Sequence, residues 1–135
     1  MAVDPGSKRV GLALSDPTAT IAQALATVPA EPAASLASRL AEIARTHEAE
    51  RIVVGLPRRL DGTRGPEAVA ATELASLLRK ASRLPVELVD ERLTTVAAER
   101  ALIAQGVRRE KRKLSVDGVA AALMLQAHLD RRRAG

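Results

Sequence analysis

The first sixteen residues, MAVDPGSKRVGLALSD, constrain the fold more than any other stretch of the chain. Val3 begins a short apolar run that ends in the carboxylate of Asp4, and a second run of small apolar residues follows. Between the two runs, Pro5 fixes φ and Gly6 tolerates a positive φ, a pairing that is typical of a tight turn. The pattern predicts two hairpin strands, with Asp4 at the end of the first. An Asp in this position is also explained as a simple turn-capping residue.

The rest of the chain alternates between predicted strands and helices. A short continuous apolar run such as 51–56 is typical of a strand that is buried on both faces in the parallel part of a sheet. Hairpin strands followed by alternating helices and strands predict an α/β fold, a mixed sheet flanked by helices, in a single domain over 1–135. The predicted elements after the hairpin are strands at 21–28, 51–56 and 85–90 and helices at 35–47, 66–82, 94–105 and from 115 onward.

Helix boundaries and inward faces are predicted from caps and from apolar spacing. Ser35 and Ser115 are predicted as N-caps, and Pro66 as the first residue of its helix. His47 and His128 are predicted as surface helix residues because neither has a second ligand at metal-binding spacing. The residues predicted to face inward are Leu36, Leu40, Ile43 and Ala44; Val69, Leu74, Leu77 and Leu78; and Val116, Val119, Ala120, Leu123 and Leu129.

The composition of the chain limits the kinds of molecule that it is expected to bind. The chain has 135 residues, a net charge of +5 and no cysteine, which excludes disulfides and thiolate chemistry and suggests the cytoplasm. No apolar run approaches the roughly 20 residues that span a bilayer, and no secretory signal is visible, so no membrane partner is expected. The positive charge suggests a nucleic-acid partner. Since Phe, Tyr and Trp are all absent, bases cannot stack on aromatic side chains, and binding must use phosphates.

The cations expected to bind backbone phosphates lie in four places: the hairpin turn, the loop around Asp61-Gly62, the end of the last predicted strand, and a basic run before the last helix. The basic run is predicted to be a mobile loop that clamps substrate, although a solvated loop without a role is the alternative. The predicted nucleic-acid-binding residues are Lys8, Arg9, Arg58, Arg59, Arg64, Arg92, Arg108, Arg109, Lys111, Arg112 and Lys113.

Carboxylates follow two predicted strands and lie near the predicted start of the last helix. Asp4 ends the first strand, Asp90 and Glu91 end the last one, and Asp117 is predicted in the first turn of the final helix. Sites in open α/β sheets gather beyond the carboxyl ends of strands. Carboxylates that meet there repel one another unless a cation such as Mg²⁺ or Mn²⁺ is bound between them. Two such ions could catalyse the hydrolysis of a phosphodiester. Asp117 could instead complement the helix dipole. Glu91 could pair with Arg92 or be solvated.

The sequence resembles the YqgF family, also called RuvX, of the ribonuclease H-like superfamily. The resemblance covers nearly the whole chain and is carried by AVDPGSKRVGLALSD at 2–16, IVVGLPRRLDGT at 52–63, VELVDERLTT at 86–95 and SVDGVAAALMLQAHL at 115–129. It implies a ribonuclease H-like fold with a five-stranded mixed sheet and metal-dependent nuclease chemistry. It also implies maturation of the 5′ end of the small-subunit ribosomal RNA precursor, or cutting of branched DNA as a Holliday junction resolvase.

Position by position, the resemblance implies that Asp4, Glu91 and Asp117 are the catalytic, metal-binding acids and that Gly6 is the turn glycine beside the metal. Strand alternation would point Asp90 away from the side of Glu91. The strand at 52–56 carries no carboxylate, unlike the corresponding strand of many superfamily nucleases. A second ion is therefore expected to bind weakly or only with substrate.

Two other classes of function remain open from the sequence. One is a non-catalytic nucleic-acid-binding module, whose binding would be indifferent to Mg²⁺, Mn²⁺ and the three acids. The other is an ATP-dependent phosphotransferase, since the strand-Asp-x-Gly turn also resembles the phosphate loop of the sugar kinase and actin superfamily; that fold needs two such domains. The sequence leaves open RNA or DNA as substrate, endo- or exonuclease action, and monomer or homodimer.

Overall fold

The computed structural model describes residues 1–57, 65–90 and 109–134. Within these ranges the chain forms a five-stranded mixed sheet of spatial order β3-β2-β1-β4-β5 with three helices packed on it, which confirms the predicted α/β fold. None of the described helices could cross a membrane. The strands are β1 (Ala2–Pro5), β2 (Arg9–Ser15), β3 (Ala22–Pro29), β4 (Ile52–Leu56) and β5 (Val86–Asp90), and the helices are α1 (Ala33–Thr46), α2 (Pro66–Ser82) and α3 (Arg109–Ala134).

Strand β1 lies at the centre of the sheet and joins its antiparallel and parallel halves. It pairs antiparallel with β2, so that Asp4 lies opposite Gly11, and parallel with β4, so that Val3 lies opposite Val54. β4 in turn pairs parallel with β5. The carboxyl ends of β1, β4 and β5 therefore meet at one end of the sheet, as the predicted site requires.

Helices α1 and α2 cover one face of the sheet with large aliphatic side chains. The core on this face includes Val3, Leu12, Leu40, Val54 and Leu78, all almost completely buried. Pro66 begins α2 as predicted.

The predicted inward faces of α1 and α2 need two corrections. Ser35 does not cap α1, because the helix begins at Ala33 after Pro32, and the Ser35 hydroxyl donates to the Pro32 carbonyl oxygen at 3.2 Å. Val69 and Leu77 are 55% and 51% exposed, so their predicted inward positions were wrong. The small residues of α2 are buried instead, together with the correctly predicted Leu74 and Leu78: Ala68, Ala71 and Ala75.

Helix α3 covers the other face, where the sheet contributes smaller side chains. Ala121, Met124, Leu125 and Leu129 pack on a cluster from the sheet: Ala2, Ala13, Val53 and Val89. Of the predicted inward residues, Leu129 is buried, whereas Val119, Ala120 and Leu123 are only half-buried.

The beginning of α3 and one of its histidines also differ from expectation. The helix begins at Arg109, so Ser115 lies inside it and is not its N-cap. Arg, Glu and Lys are good helix formers, which explains why the basic run is helical from Arg109 and not a loop. His128 is buried, contrary to the surface position predicted for it, whereas His47 is exposed as predicted.

Candidate functional site

Asp4 lies at the carboxyl end of β1, on the face that α3 covers. Ala2 belongs to the cluster beneath α3 and Val3 to the cluster beneath α1 and α2. Because successive side chains of a strand point to opposite faces, the Asp4 carboxylate is on the same face as Ala2. Asp4 is half-buried. The central strand thus brings one predicted site residue to the edge of the interface with α3.

The neighbouring position on β4 has no side chain. Val53 packs beneath α3, so alternation places Gly55 on that same face, and Gly55 is buried. The register that pairs Val3 with Val54 brings Gly55 next to the level of Asp4. β4 therefore contributes no side chain beside the Asp4 carboxylate, in agreement with the absence of an acid from this strand.

Asp90 is on the other face of the sheet. It follows Val89, which packs beneath α3, so alternation directs Asp90 toward the side of α1 and α2. Asp90 is therefore on the face opposite to that of Asp4, and its orientation relative to Glu91 stays a prediction. Glu91 lies outside the described residues, as do Arg92 and Arg108 and the loop cations Arg58, Arg59 and Arg64.

Asp117 lies in α3, the helix that covers the Asp4 face. It is the ninth residue of the helix and not in the first turn, so the helix-dipole explanation of this acid no longer applies. The next residue, Gly118, is buried, and a Cβ there would lie 3.4 Å from the Cβ of Ala24 on β3. The helix backbone therefore approaches the sheet closely at this point. The side chains of 109–117, which include Arg109, Lys111, Arg112 and Lys113, lie outside the described part of the chain.

The turn between β1 and β2 has a steric need for glycine. A Cβ at Gly6 would lie 2.5 Å from the carbonyl oxygen of Arg9, closer than such atoms can approach. Its φ is outside the left-handed region, so close backbone approach, and not the positive φ expected from the sequence, explains the glycine. Lys8 and Arg9 are exposed beside it. The turn is also joined to the end of β3, since the Ala30 amide donates to the Lys8 carbonyl at 2.9 Å.

A polar cluster that sequence reasoning missed lies at the opposite end of the sheet. The Asp16 carboxylate accepts hydrogen bonds from the amides of Ile21 at 2.8 Å and Thr20 at 2.7 Å and from the Thr18 hydroxyl. The bonds from Ile21, Thr18 and Thr20, in that order of effect, lower the pKa of Asp16 to about 2. Asp followed by Pro and Thr is a recognisable turn signal, so the sequence could have revealed this loop.

His128 is the second missed residue. Its Nε2 lies 3.5 Å from Oε2 of Glu87 on β5, and burial lowers the pKa of His128. Glu87 opposes that shift, whereas Arg132, Arg131 and Arg51 reinforce it. No local pattern distinguishes this histidine from an exposed one, because its partner is on another element.

The donor chemistry of the site fits a hard divalent cation. Carboxylate oxygens are the ligands that Mg²⁺ and Mn²⁺ prefer, and the Asp4 carboxylate is half-buried at the end of the central strand. Among the residues whose side chains are described there is no group of three possible ligands, since Glu91 and Asp117 are outside them. Asp4 is thus the described member of the predicted set, and Asp117 lies in the helix on the same face.

The family model and the relatives that match this chain are described as nucleases or junction resolvases. The family model described as "RuvX: Holliday junction resolvase" matches residues 1–131. A protein of Heliobacterium modesticaldum named "Putative pre-16S rRNA nuclease" is 45% identical over 130 residues, 96% of this chain and 87% of the relative. A Streptococcus suis protein of the same name is 45% identical over 134 residues, 97% and 96% of the two chains.

Solved structures of RuvC from Thermus thermophilus share the fold. One, in complex with a Holliday junction substrate, superposes with a TM-score of 0.56 at 18% identity, covering 97% of this chain and 92% of that one. A second has a TM-score of 0.57 at 16% identity, over 98% and 94% of the two chains. This likeness confirms the ribonuclease H-like fold.

Proposed function

Because the chain belongs to the RuvX family of Holliday junction resolvases, we propose that it is a metal-dependent nuclease that hydrolyses phosphodiester bonds in nucleic acid. The names of its relatives favour the 16S ribosomal RNA precursor as the substrate, and cytoplasmic action with it. We propose the 5′ end of this precursor as the place of cutting, as the family resemblance implies. One observation carries the proposal: Asp4 lies at the carboxyl end of the central strand, on the face covered by the helix that contains Asp117.

Asp4, Glu91 and Asp117 are proposed to hold Mg²⁺ or Mn²⁺, with two ions expected when substrate is bound. A divalent cation there would activate water for attack on phosphorus and neutralise charge on the departing oxygen. The part of Asp4 is to hold that cation from a rigid central strand, so that the cation would bind the reacting phosphate at a fixed position.

The cations of the chain are proposed to hold the phosphates on either side of the scissile bond. Lys8 and Arg9 are exposed at the same end of the sheet as Asp4. Arg109, Lys111, Arg112 and Lys113, in the first turns of α3, are proposed to continue this basic surface. Since each phosphate contact releases condensed counterions, binding should weaken steeply as salt is raised. Arg58, Arg59, Arg64, Arg92 and Arg108 are proposed to extend the same surface.

Cutting of Holliday junctions is the second candidate, and the description of the matched family favours it. Symmetric cleavage of a four-way junction needs two active sites related by a twofold axis, and therefore a homodimer. Processing of a ribosomal RNA end needs only one site. The oligomeric state in solution consequently separates the two substrates.

The proposal is tested by cleavage assays with the wild type and Asp4→Asn. The substrates are end-labelled precursor RNA, single-stranded DNA and a four-way junction, each with Mg²⁺, Mn²⁺ or EDTA. We expect metal-dependent cutting that Asp4→Asn abolishes, with nucleic-acid binding retained. The matched control is Glu50→Gln, which removes an exposed carboxylate near the opposite end of the sheet and should cut at the wild-type rate. Binding without cutting in any metal would contradict the proposal and favour a non-catalytic binding module.

A further inference from the structure

The side chain of Gln126 joins α3 to the loop between β2 and β3. Its Oε1 accepts from the Ala22 amide at 2.9 Å, and its Nε2 donates to the Thr20 carbonyl at 2.8 Å. The same Nε2 donates to Oδ1 of Asp130 at 3.0 Å, so both amide hydrogens and the amide oxygen are bonded. A backbone amide only donates and a carbonyl only accepts, so only one orientation of this side chain satisfies the loop.

The loop that receives Gln126 is itself held in one conformation. Asp16 bonds the amides of Thr20 and Ile21, and Ala19 adopts a left-handed φ of 56° within this turn. A second bond from α3, from Nη1 of Arg133 to the Thr20 carbonyl at 3.1 Å, ends on the same loop. The contact therefore joins a helix to a well-defined turn and not to a freely moving one.

The apolar contacts beneath α3 restrain the position of the helix along its own axis less sharply than hydrogen bonds do. Its contacts are mainly apolar, with small residues at Gly118, Ala121 and Ala122. Apolar contact is non-directional, whereas hydrogen bonds impose distance and angle. Among the side chains of α3 that the structure describes, Gln126 makes two of the directional contacts that keep the helix from sliding on this surface, beside the bond of Arg133 to Thr20 and the contact of His128 with Glu87.

We propose that Gln126 is a positioning residue for catalysis: its bonds to Thr20 and Ala22 set where α3 lies along the sheet, and thereby where Asp117 lies relative to Asp4. Asp117 is nine residues before Gln126 in one helix, a separation of about 13.5 Å along the axis. A helix transmits an axial shift along its length, and a misplacement of about 1 Å at a reacting centre can cost about a hundredfold in rate. The inference rests on the proposed function, since it assigns Asp117 to the site.

Gln126→Glu tests the role with little change of shape. It removes the donors to Thr20 and sets a carboxylate against the Thr20 carbonyl and Asp130. Gln23→Glu is the matched control, because Gln23 is exposed on β3 and the charge change is the same. We expect Gln126→Glu to lower kcat at least about tenfold with KM changed less than about twofold, and to weaken Mn²⁺ binding by the free protein about tenfold. Gln23→Glu should have the kcat, the KM and the Mn²⁺ affinity of the wild type.

A distance measurement tests the position of the helix without any activity. Since the chain has no cysteine, spin labels can be attached through Thr27→Cys on β3 and Arg131→Cys on α3, both exposed positions. Gln126→Glu should shift or broaden the distance between the labels by about 1.5 Å or more, the rise of one helical residue, and Gln23→Glu should not. Asp16→Ala, which loosens the receiving loop, should act in the same direction, and Asp16→Asn, which keeps an acceptor, should restore the wild-type distance.

The outcomes separate the inference from the proposed function. An unchanged label distance in Gln126→Glu would overturn the positioning role, whether or not the protein cuts nucleic acid. A shifted distance with unchanged kcat and unchanged Mn²⁺ affinity would also overturn it. If the wild type neither binds Mn²⁺ nor cuts any substrate, the proposed function fails, and the label distance still decides whether Gln126 positions α3.

Discussion

The two faces of the sheet are built from different residues. Beneath α1 and α2 the core consists mostly of Leu, Ile and Val, with alanines of the helices between them. Beneath α3 the sheet contributes Ala2, Ala13, Val53 and Val89, and α3 adds polar contacts through Gln126 and His128. The first face buries more apolar surface and so contributes more stability. The second brings a helix backbone close to the sheet at Ala24 of β3, and directional bonds help to fix its position.

The difference shows how a small domain can use one face of its sheet for stability and the other face for its proposed chemistry. Asp4 belongs to β1, whose side chains alternate between the two faces, so its position is supported by the large core on one side. Its proposed chemistry takes place on the other side, where the helix that contains Asp117 packs. Substitutions on the first face should therefore change stability more than activity, and substitutions on the second face the reverse.

The largest effect on stability is expected from Leu40→Ala. Leu40 of α1 is completely buried, and truncation leaves a cavity that should lower the free energy of unfolding by about 2–5 kcal/mol. At a temperature where the variant stays folded, kcat should change less than about twofold. Leu77→Ala is the matched control: this leucine of α2 is 51% exposed, and its loss should cost less than about 0.5 kcal/mol. Urea unfolding checks both values, and a large loss of kcat in folded Leu40→Ala would break the division between the faces.

Ala121→Leu should have a smaller effect on stability and a larger one on activity. Ala121 is completely buried between α3 and the sheet, and a larger side chain must displace the helix, at a cost of about 1–3 kcal/mol. The displacement should lower kcat at least about tenfold. Ala70→Leu, on the exposed side of α2, provides the same change without the displacement. Unfolding and cleavage measured on both variants test this, and wild-type kcat in Ala121→Leu would show that the α3 interface does not control the site.

The smallest effect is a pH dependence from His128. Burial lowers the pKa of His128 in the folded chain, so below about pH 6.5 the unfolded chain takes up a proton that the folded chain does not. The free energy of unfolding should therefore fall as the pH falls below about 6.5. His128→Gln should reduce this slope, and His47→Gln, at an exposed histidine, should keep it. Urea unfolding at pH 5.5 and 7.5 gives the change in the free energy of unfolding for each protein. An equal change in His128→Gln and the wild type would show that His128 does not cause the pH dependence.

Most of the sheet could be predicted from the sequence because its signals are local. The run at 52–56 has no polar residue, and β4 is buried at every position. Pro66 marked the start of α2. The inward face of α2 could not be predicted, because the alanines at 68, 71 and 75 satisfy the same helical spacing as Val69 and Leu77, and only the packing partner selects between them.

The site was less accessible to sequence reasoning than the fold. The face of Asp4 follows from alternation along β1, which the sequence already indicated. The start of α3 did not follow: the cap signal at Ser115 is strong, but the helix propensity of the preceding charged run prevails, and this moves Asp117 out of the first turn. Gln126 and His128 could not have been recognised, since their partners are 104 and 41 residues away in sequence.

The central claim is that Asp4 and Asp117, far apart in sequence, hold the same cation. The most direct test is a calorimetric titration with Mn²⁺ of four proteins: the wild type, Asp4→Asn, Asp117→Asn and the double variant. If both acids bind one ion, each single variant should weaken Mn²⁺ binding at least about tenfold. The loss of affinity in the double variant should then be smaller than the product of the two single losses. Wild-type affinity in Asp117→Asn, or two effects that multiply fully, would contradict a shared site.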